Sequence, residues 1–379
     1  MKSKQNNYGQ WISVAIYVLI GAACGFTGVR FFEQMAEREM SFFEQLCSSL
    51  ALLILLYLGI FIQIIIHEAG HLVFGLCTGY RFCSFRIMSF MWMKEEDRIH
   101  FKRMKIAGTG GQCLMSPPDL TDGKMPVKLY NYGGAIMNLI FSSLFFIVAV
   151  LSPAGSLFRL CMILLAIIGT AFALMNGLPL KMSQVNNDGR NAVDLSKDSD
   201  AARAFWIQMK VNELAQKNVR TKDMPAEWFD VPSDESMRNG IVATVGVLAC
   251  SRLMDEHRFD EADRMMEHLL SIESGIVGLH RDLLINDRIY IALIENADPD
   301  TIKNMQSKEF KKTVKAMKDY PSVLRTGYAA ALLAENDEKA ASDILKKFEK
   351  TAVSYPYRSE IQAEKELMDI ALNKKEIKK

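Results

Sequence analysis

Five consecutive residues, His67-Glu68-Ala69-Gly70-His71, place two imidazoles four positions apart with a carboxylate beside the first. On an α-helix that spacing turns both histidines to one face, where they can hold a single Zn²⁺. The glutamate between them is then placed to take a proton from a water on the metal, as in hydrolytic zinc sites. Such a site takes three protein ligands and keeps one position for water, so a third donor must come from elsewhere in the chain. Asp188, next to Gly189 and a few residues past Asn176-Gly177-Leu178-Pro179, is the first candidate, and Asp194 is the second. A carboxylate just beyond a proline-broken helix can turn inward, although Asn186-Asn187-Asp188-Gly189 also suits an ordinary turn. Glu68 is the candidate general base. Asn176 and Asn138 carry amides that can donate to a substrate backbone or a developing oxyanion. Capping its own helix is the competing role for Asn176, and an interhelical hydrogen bond is the competing role for Asn138.

The elements that must hold these residues are apolar. Residues 50–66 are broken only by Tyr57, Gly59 and Gln63, and residues 72–76 are apolar again. Soluble metalloproteases carry this motif on a helix with one polar face. A helix that is apolar all round lies in lipid or in protein, and an ionisable pair inside it marks a functional site. Residues 11–29, 47–76, 131–150 and 157–175 are each apolar for about the length of a bilayer crossing. A signal peptide competes for the first. The apolar run continues past the small residues at Gly21–Cys24, though, which favours a retained helix. Residues 30–45 form a charged connector, read as a short helix on the membrane surface. Between the second and third crossings the pattern changes to a period of two. Phe82, Ser84, Arg86 and Met88 alternate with Cys83, Phe85, Ile87 and Ser89, and residues 98–105 alternate again after Lys94-Glu95-Glu96-Asp97. That predicts a β-hairpin. Ala107-Gly108-Thr109-Gly110-Gly111 lacks the Gly-Lys-Ser/Thr ending of a phosphate loop and reads as a turn.

Lys and Arg crowd the segment from Arg81 to Lys128, whereas residues 30–45 hold only Arg30 and Arg38. The positive-inside rule therefore makes the hairpin loop cytoplasmic and puts both termini on the same side of the cell membrane. His67, Asn138, Asn176 and Asp188 then all fall at the cytoplasmic ends of their segments, as one site requires.

Past Asp188 the chain is charged and reads as soluble helices, including residues 198–214 and 238–253. Residues 253–262 and 333–341 resemble each other: a helix, a short acidic turn, then a helix opening on alanine. That is the grammar of a tetratricopeptide hairpin, and residues 276–295 with 299–317 fit a further one between them. Such a domain offers a concave face for a protein partner. His257, His268 and His280 read as surface or packing residues, and residues 373–379 as a charged tail. A net charge of +1 gives no basis for nucleic-acid binding. The seven cysteines are scattered without a CxxC pair, which excludes a disulfide framework and a thiolate zinc site.

Taken together, His67-Glu68-Ala69-Gly70-His71 in an apolar helix, Gly133-Gly134-Ala135-Ile136-Met137-Asn138 opening another, and Asn176-Gly177-Leu178-Pro179 followed by Asp188-Gly189 resemble the site-2 protease family of intramembrane zinc metalloproteases. The resemblance covers residues 48–192. It implies a three-helix catalytic core, zinc held by His67, His71 and Asp188, and cleavage of membrane-anchored substrates. It also implies that a hairpin, here residues 79–105, presents substrate as an added strand. The expectation is an α-helical polytopic membrane protein with about four transmembrane helices, a β-hairpin between the second and third, and a C-terminal α-helical, tetratricopeptide-like soluble domain. Residues 1–47 hold an extra helix and connector, 48–192 the protease core, and 193–379 the helical domain. The expected substrate is a single-span membrane protein or a hydrophobic peptide. The rivals are a catalytically silent scaffold binding partners through the C-terminal domain, which the intact Glu68 disfavours, and a metal transporter. The transporter needs aligned ionisable residues that residues 139–150 and 157–175 do not supply.

Overall fold

The computed structural model describes residues 8–36, 41–96, 98–104, 110–180 and 186–377. Its contacts divide into two compact units, Met1–Ile87 with Gly110–Asp198, and Met88–Thr109 with Ser199–Lys379.

The first unit holds four helices long and apolar enough to cross a membrane: α1 (Tyr8–Ala36), α2 (Phe42–Cys77), α3 (Val127–Leu151) and α4 (Leu157–Gly177). Their outward faces are apolar; Leu53, Ile140 and Leu151 are 63%, 52% and 80% exposed, as lipid-facing side chains should be. α1, α2 and α3 begin earlier than their apolar runs, and at α2 local capping sets the first turn. At α2, the Ser41 hydroxyl accepts from the Glu44 amide while the Ser41 amide donates to the Glu44 carboxylate at 2.8 Å. This capping box starts the helix at Phe42 instead of residue 47. The charged connector is consequently absorbed into the ends of α1 and α2, with residues 37–40 outside the described set. At 36 residues, α2 is about 54 Å long, far more than the ~30 Å hydrocarbon layer.

Strands β1 (Arg81–Ile87), β2 (Phe90–Glu95), β3 (Arg98–Arg103) and β4 (Gly111–Ser116) follow α2. The single hairpin expected here is thus a small antiparallel arrangement of four strands. β1 pairs with β4 in the first unit, Arg86 opposite Gln112 and Ile87 opposite Gly111. β2 pairs with β3 in the second, Phe90 opposite Arg103. Gly111 belongs to β4, not to a turn; the glycine-cluster residues 107–109 lie outside the described residues. A short helix α5 (Asp188–Lys197) closes the first unit against α3 and α4.

The second unit continues as helices α6 (Ser199–Gln216), α7 (Gly240–Asp255), α8 (Phe259–Ser271), α9 (Gly278–Ile294), α10 (Pro299–Met305), α11 (Lys308–Ala316), α12 (Pro321–Leu333), α13 (Glu338–Ser354) and α14 (Arg358–Ile377). Four helix ends pass through a left-handed residue: Asn218, His257, Asn296 and Asn336, spaced 39, 39 and 40 apart. After the first three, the next amide turns back to a carbonyl five residues earlier: Val219 to Leu214, Arg258 to Leu253, Ala297 to Ala292. After the fourth, Asp337 reaches Ala331. This recurrent Schellman-type closure sets a period longer than the ~34 residues of a tetratricopeptide. The core gathers Met237, Cys250, Met266, Leu269, Tyr290 and Phe310. Arg325, 1% exposed, is held within it by Glu364 at 2.9 Å, by Asp287, and over the Tyr290 ring.

Candidate metal centre

His67 and His71 sit one turn apart on α2, 7% and 9% exposed. Glycines bring α3 against them. A Cβ on Gly70 would lie 2.3 Å from the Gly133 carbonyl oxygen, and one on Gly133 would lie 2.6 Å from that of Gly70. The two helices therefore cross backbone to backbone. One residue on, a Cβ at Gly134 would lie 2.4 Å from Cε1 of His67, so the imidazole occupies the space that a side chain there would take.

The hydrogen bonds on the far side of each ring fix its protons. His71 Nδ1 faces the Tyr130 carbonyl at 2.8 Å, and a carbonyl only accepts, so Nδ1 carries the hydrogen. His67 Nδ1 faces Asn138 Oδ1 at 2.8 Å, and the Asn138 amide nitrogen donates to the backbone and side-chain oxygens of Gln63 at 3.0 and 2.7 Å. His67 Nδ1 is likewise a donor. Both rings therefore turn their Nε2 atoms inward.

Asp188 completes the convergence. Its Oδ2 lies 3.0 Å from His67 Nε2 and 3.4 Å from His71 Nε2, and the two nitrogens are 3.2 Å apart. Three atoms able to ligate a metal thus converge on one gap, an arrangement that a cation lying among them satisfies. Ligands at about 2.0–2.1 Å from a tetrahedral zinc stand roughly 3.3 Å apart, which is the separation seen here. Among the described residues this is the one group of histidine, cysteine and carboxylate atoms placed to hold a metal.

Asp188 is the first residue of a helix, not part of a turn. Asn187 caps α5, its Oδ1 accepting from Arg190 N at 2.9 Å and from Leu180 N at 3.2 Å. Its Nδ2 donates to the carbonyls of Met175 and Leu178, both at 2.6 Å. One side chain so joins the frayed end of α4 to the start of α5. Gly189 packs on Gly177 of α4.

Glu68, 9% exposed, lies under the start of β4: a Cβ on Gly111 would fall 2.6 Å from its Oε1. Arg86, almost wholly buried on β1, donates to the Gly111 carbonyl at 3.4 Å and ties that strand end down. Asn138 is at the centre, but its amide hydrogens are directed to Gln63, so it orients His67 and has none left for an oxyanion. Asn176 donates to the Phe172 carbonyl at 3.0 Å, within its own helix. Asp194 pairs with Arg190 at 2.8 Å and stands outside the ligand group. Sequence reasoning missed Gln63, Tyr130 and Asn187. Gln63 left a signal, a lone amide in an apolar run; a backbone carbonyl such as that of Tyr130 leaves none.

Four helices long and apolar enough to cross a membrane, with a His-His-Asp group placed to hold a metal, fit a membrane metallopeptidase of the site-2 protease type. The chain belongs to peptidase family M50, whose family model matches residues 55–354. No curated protein and no solved structure matches it.

Proposed function

We propose that the chain hydrolyses a peptide bond in or near the transmembrane segment of a single-span membrane protein or a hydrophobic peptide, with zinc held by His67 Nε2, His71 Nε2 and Asp188 Oδ2. The observation that carries this reading is the convergence of His67 Nε2, His71 Nε2 and Asp188 Oδ2 beside a buried glutamate. Zinc held there would supply a Lewis acid that lowers the pKa of a water beside Glu68. Glu68 takes the proton of the attacking water and hands it to the departing amine nitrogen. Gly111 keeps β4 close above it without a side chain in the way, and Asn138 and the Tyr130 carbonyl hold the two imidazoles in the ligating tautomer.

The excess of basic residues between α2 and α3 supports a cytoplasmic position for the strands, with both termini on the same face of the cell membrane. Residues 1–47, 48–192 and 193–379 serve as extra helix, protease core and helical repeat domain, the last offering a surface to a protein partner. Its period of 39 to 40 residues favours a repeat longer than the tetratricopeptide.

The test is zinc content of the detergent-purified chain, native against His67→Ala and Asp188→Ala. One zinc per native chain, lost in the first and lost or weakened in the second, supports the site. Glu68→Gln should then bind zinc normally, stop cleavage and retain substrate. A native chain without zinc under metal-replete conditions leaves the silent scaffold.

A further inference from the structure

Gln63 is the most anomalous residue of α2: an amide, 0% exposed, one turn before His67 in a helix otherwise apolar at that level. Such a group is costly in a membrane unless its donors and acceptors are all met. Here its nitrogen and its oxygen each meet a partner on another helix. Gln63 Nε2 donates to the Leu165 carbonyl of α4 at 2.9 Å, and Gln63 Oε1 accepts from Asn138 Nδ2 of α3 at 2.7 Å. The head group fits because α4 has glycine at 169: a Cβ there would lie 2.6 Å from Gln63 Nε2 and 2.2 Å from Ser142 Oγ.

The arrangement has a direction. The Leu165 carbonyl only accepts, so Gln63 must point its nitrogen at α4 and its oxygen at α3. That oxygen, together with the backbone carbonyl of the same residue at 3.0 Å, demands the nitrogen of Asn138, which leaves Asn138 Oδ1 facing His67 Nδ1. An amide turned the other way would present N–H to Nδ1, and the imidazole proton would move to Nε2, the atom that faces Asp188 and His71. The chain of hydrogen bonds therefore sets which nitrogen of His67 is free to ligate.

We infer that Gln63, oriented by the Leu165 carbonyl and admitted by Gly169, is a positioning residue that holds His67 Nε2 unprotonated for the metal, acting through Asn138. This rests on the zinc reading above. The test is zinc affinity by chelator competition on the full detergent-purified chain, for the native protein, Gln63→Leu, Gln63→Glu, Asn138→Ala and the double variant Gln63→Leu/Asn138→Ala. Gln63→Leu should weaken zinc about tenfold, within the range known for outer-shell partners. Gln63→Glu, whose protonated carboxyl repeats both hydrogen bonds, should stay within about threefold of native. The double variant should bind no more weakly than Asn138→Ala alone, because both act on one imidazole. Additive losses, or a Gln63→Leu that lowers the thermal midpoint of the metal-free chain but keeps native affinity, would make Gln63 a packing residue and overturn the inference. If the native chain binds one zinc that His67→Ala abolishes, such a result overturns this inference alone. If the native chain binds none, both readings fall.

Discussion

The α-carbon of Gly189 rests on the carbonyl oxygen of Gly177, so closely that a Cβ would be 2.2 Å from it. The carboxylate of Asp188, one residue earlier, is thereby set by contact between the first turn of α5 and the last residue of α4. Gly189→Ala must push α5 away, because backbone cannot yield as a side-chain tip can. Zinc affinity should fall about 10–100-fold, as for loss of other supporting groups around a metal. Unchanged chelator competition in this variant would show that Asp188 is placed by something else.

Asn187 has two separable tasks, capping α5 and bridging to the carbonyls of Met175 and Leu178. Asn187→Ala loses both and Asn187→Ser keeps only the cap. The cap is worth about 1 kcal/mol. Thermal unfolding should therefore rank the native chain above serine and serine above alanine, while zinc binding should suffer in both variants. If serine restores zinc binding fully, the bridge to α4 is dispensable.

One glycine of α3 and one of α2 should fail differently. Gly134→Ala thrusts a methyl into the His67 ring, and its main expected effect is loss of zinc with the helices still packed. Gly70→Ala meets the Gly133 backbone at 2.3 Å, and it should lower the thermal midpoint even of metal-free protein. Metal-free unfolding curves separate the two, and equal midpoints would contradict this assignment.

The helical domain carries a pH dependence of its own. Burial pushes Glu360 up to about 7, against the opposing hydrogen bond from the Tyr355 hydroxyl and with the charge of Glu364 adding to the rise. The folded chain then holds this proton more tightly than the unfolded chain between its ordinary value of 4.5 and about 7. The stability it contributes is complete below 4.5 and is lost as pH rises through 7. The loss should be on the order of 1–3 kcal/mol. Glu360→Gln should flatten the difference between unfolding at about pH 5 and about pH 8; a difference that survives it belongs to other groups.

The fold and the ligand group were legible to different depths. Apolar runs of bilayer length announce crossings whatever packs on them, so all four helices could be found from residue types. Helix ends could not, because Ser41 with Glu44 at the start of α2, and the left-handed Asn218, His257, Asn296 and Asn336 in the second unit, act through local geometry. His67 and His71 share a helix face by spacing alone, but Asp188 lies 121 positions from His67 and is delivered by tertiary packing. The competing roles named for Asn138 and Asn176 are the ones their side chains adopt here. No pattern separates an amide aimed at a substrate from one aimed at a neighbour until the neighbour is in place. The β4 strand escaped because its partner β1 is far away in sequence and period-two alternation is weak across Gly110-Gly111.

The seam at Gly70 and Gly133 also decides how a chain can approach Glu68. Two helices touching through bare backbone leave no cleft, so a peptide cannot wedge between α2 and α3 at this depth. Under the function proposed above, the approach to Glu68 runs from another side, where Gly111 of β4 lies over its carboxylate.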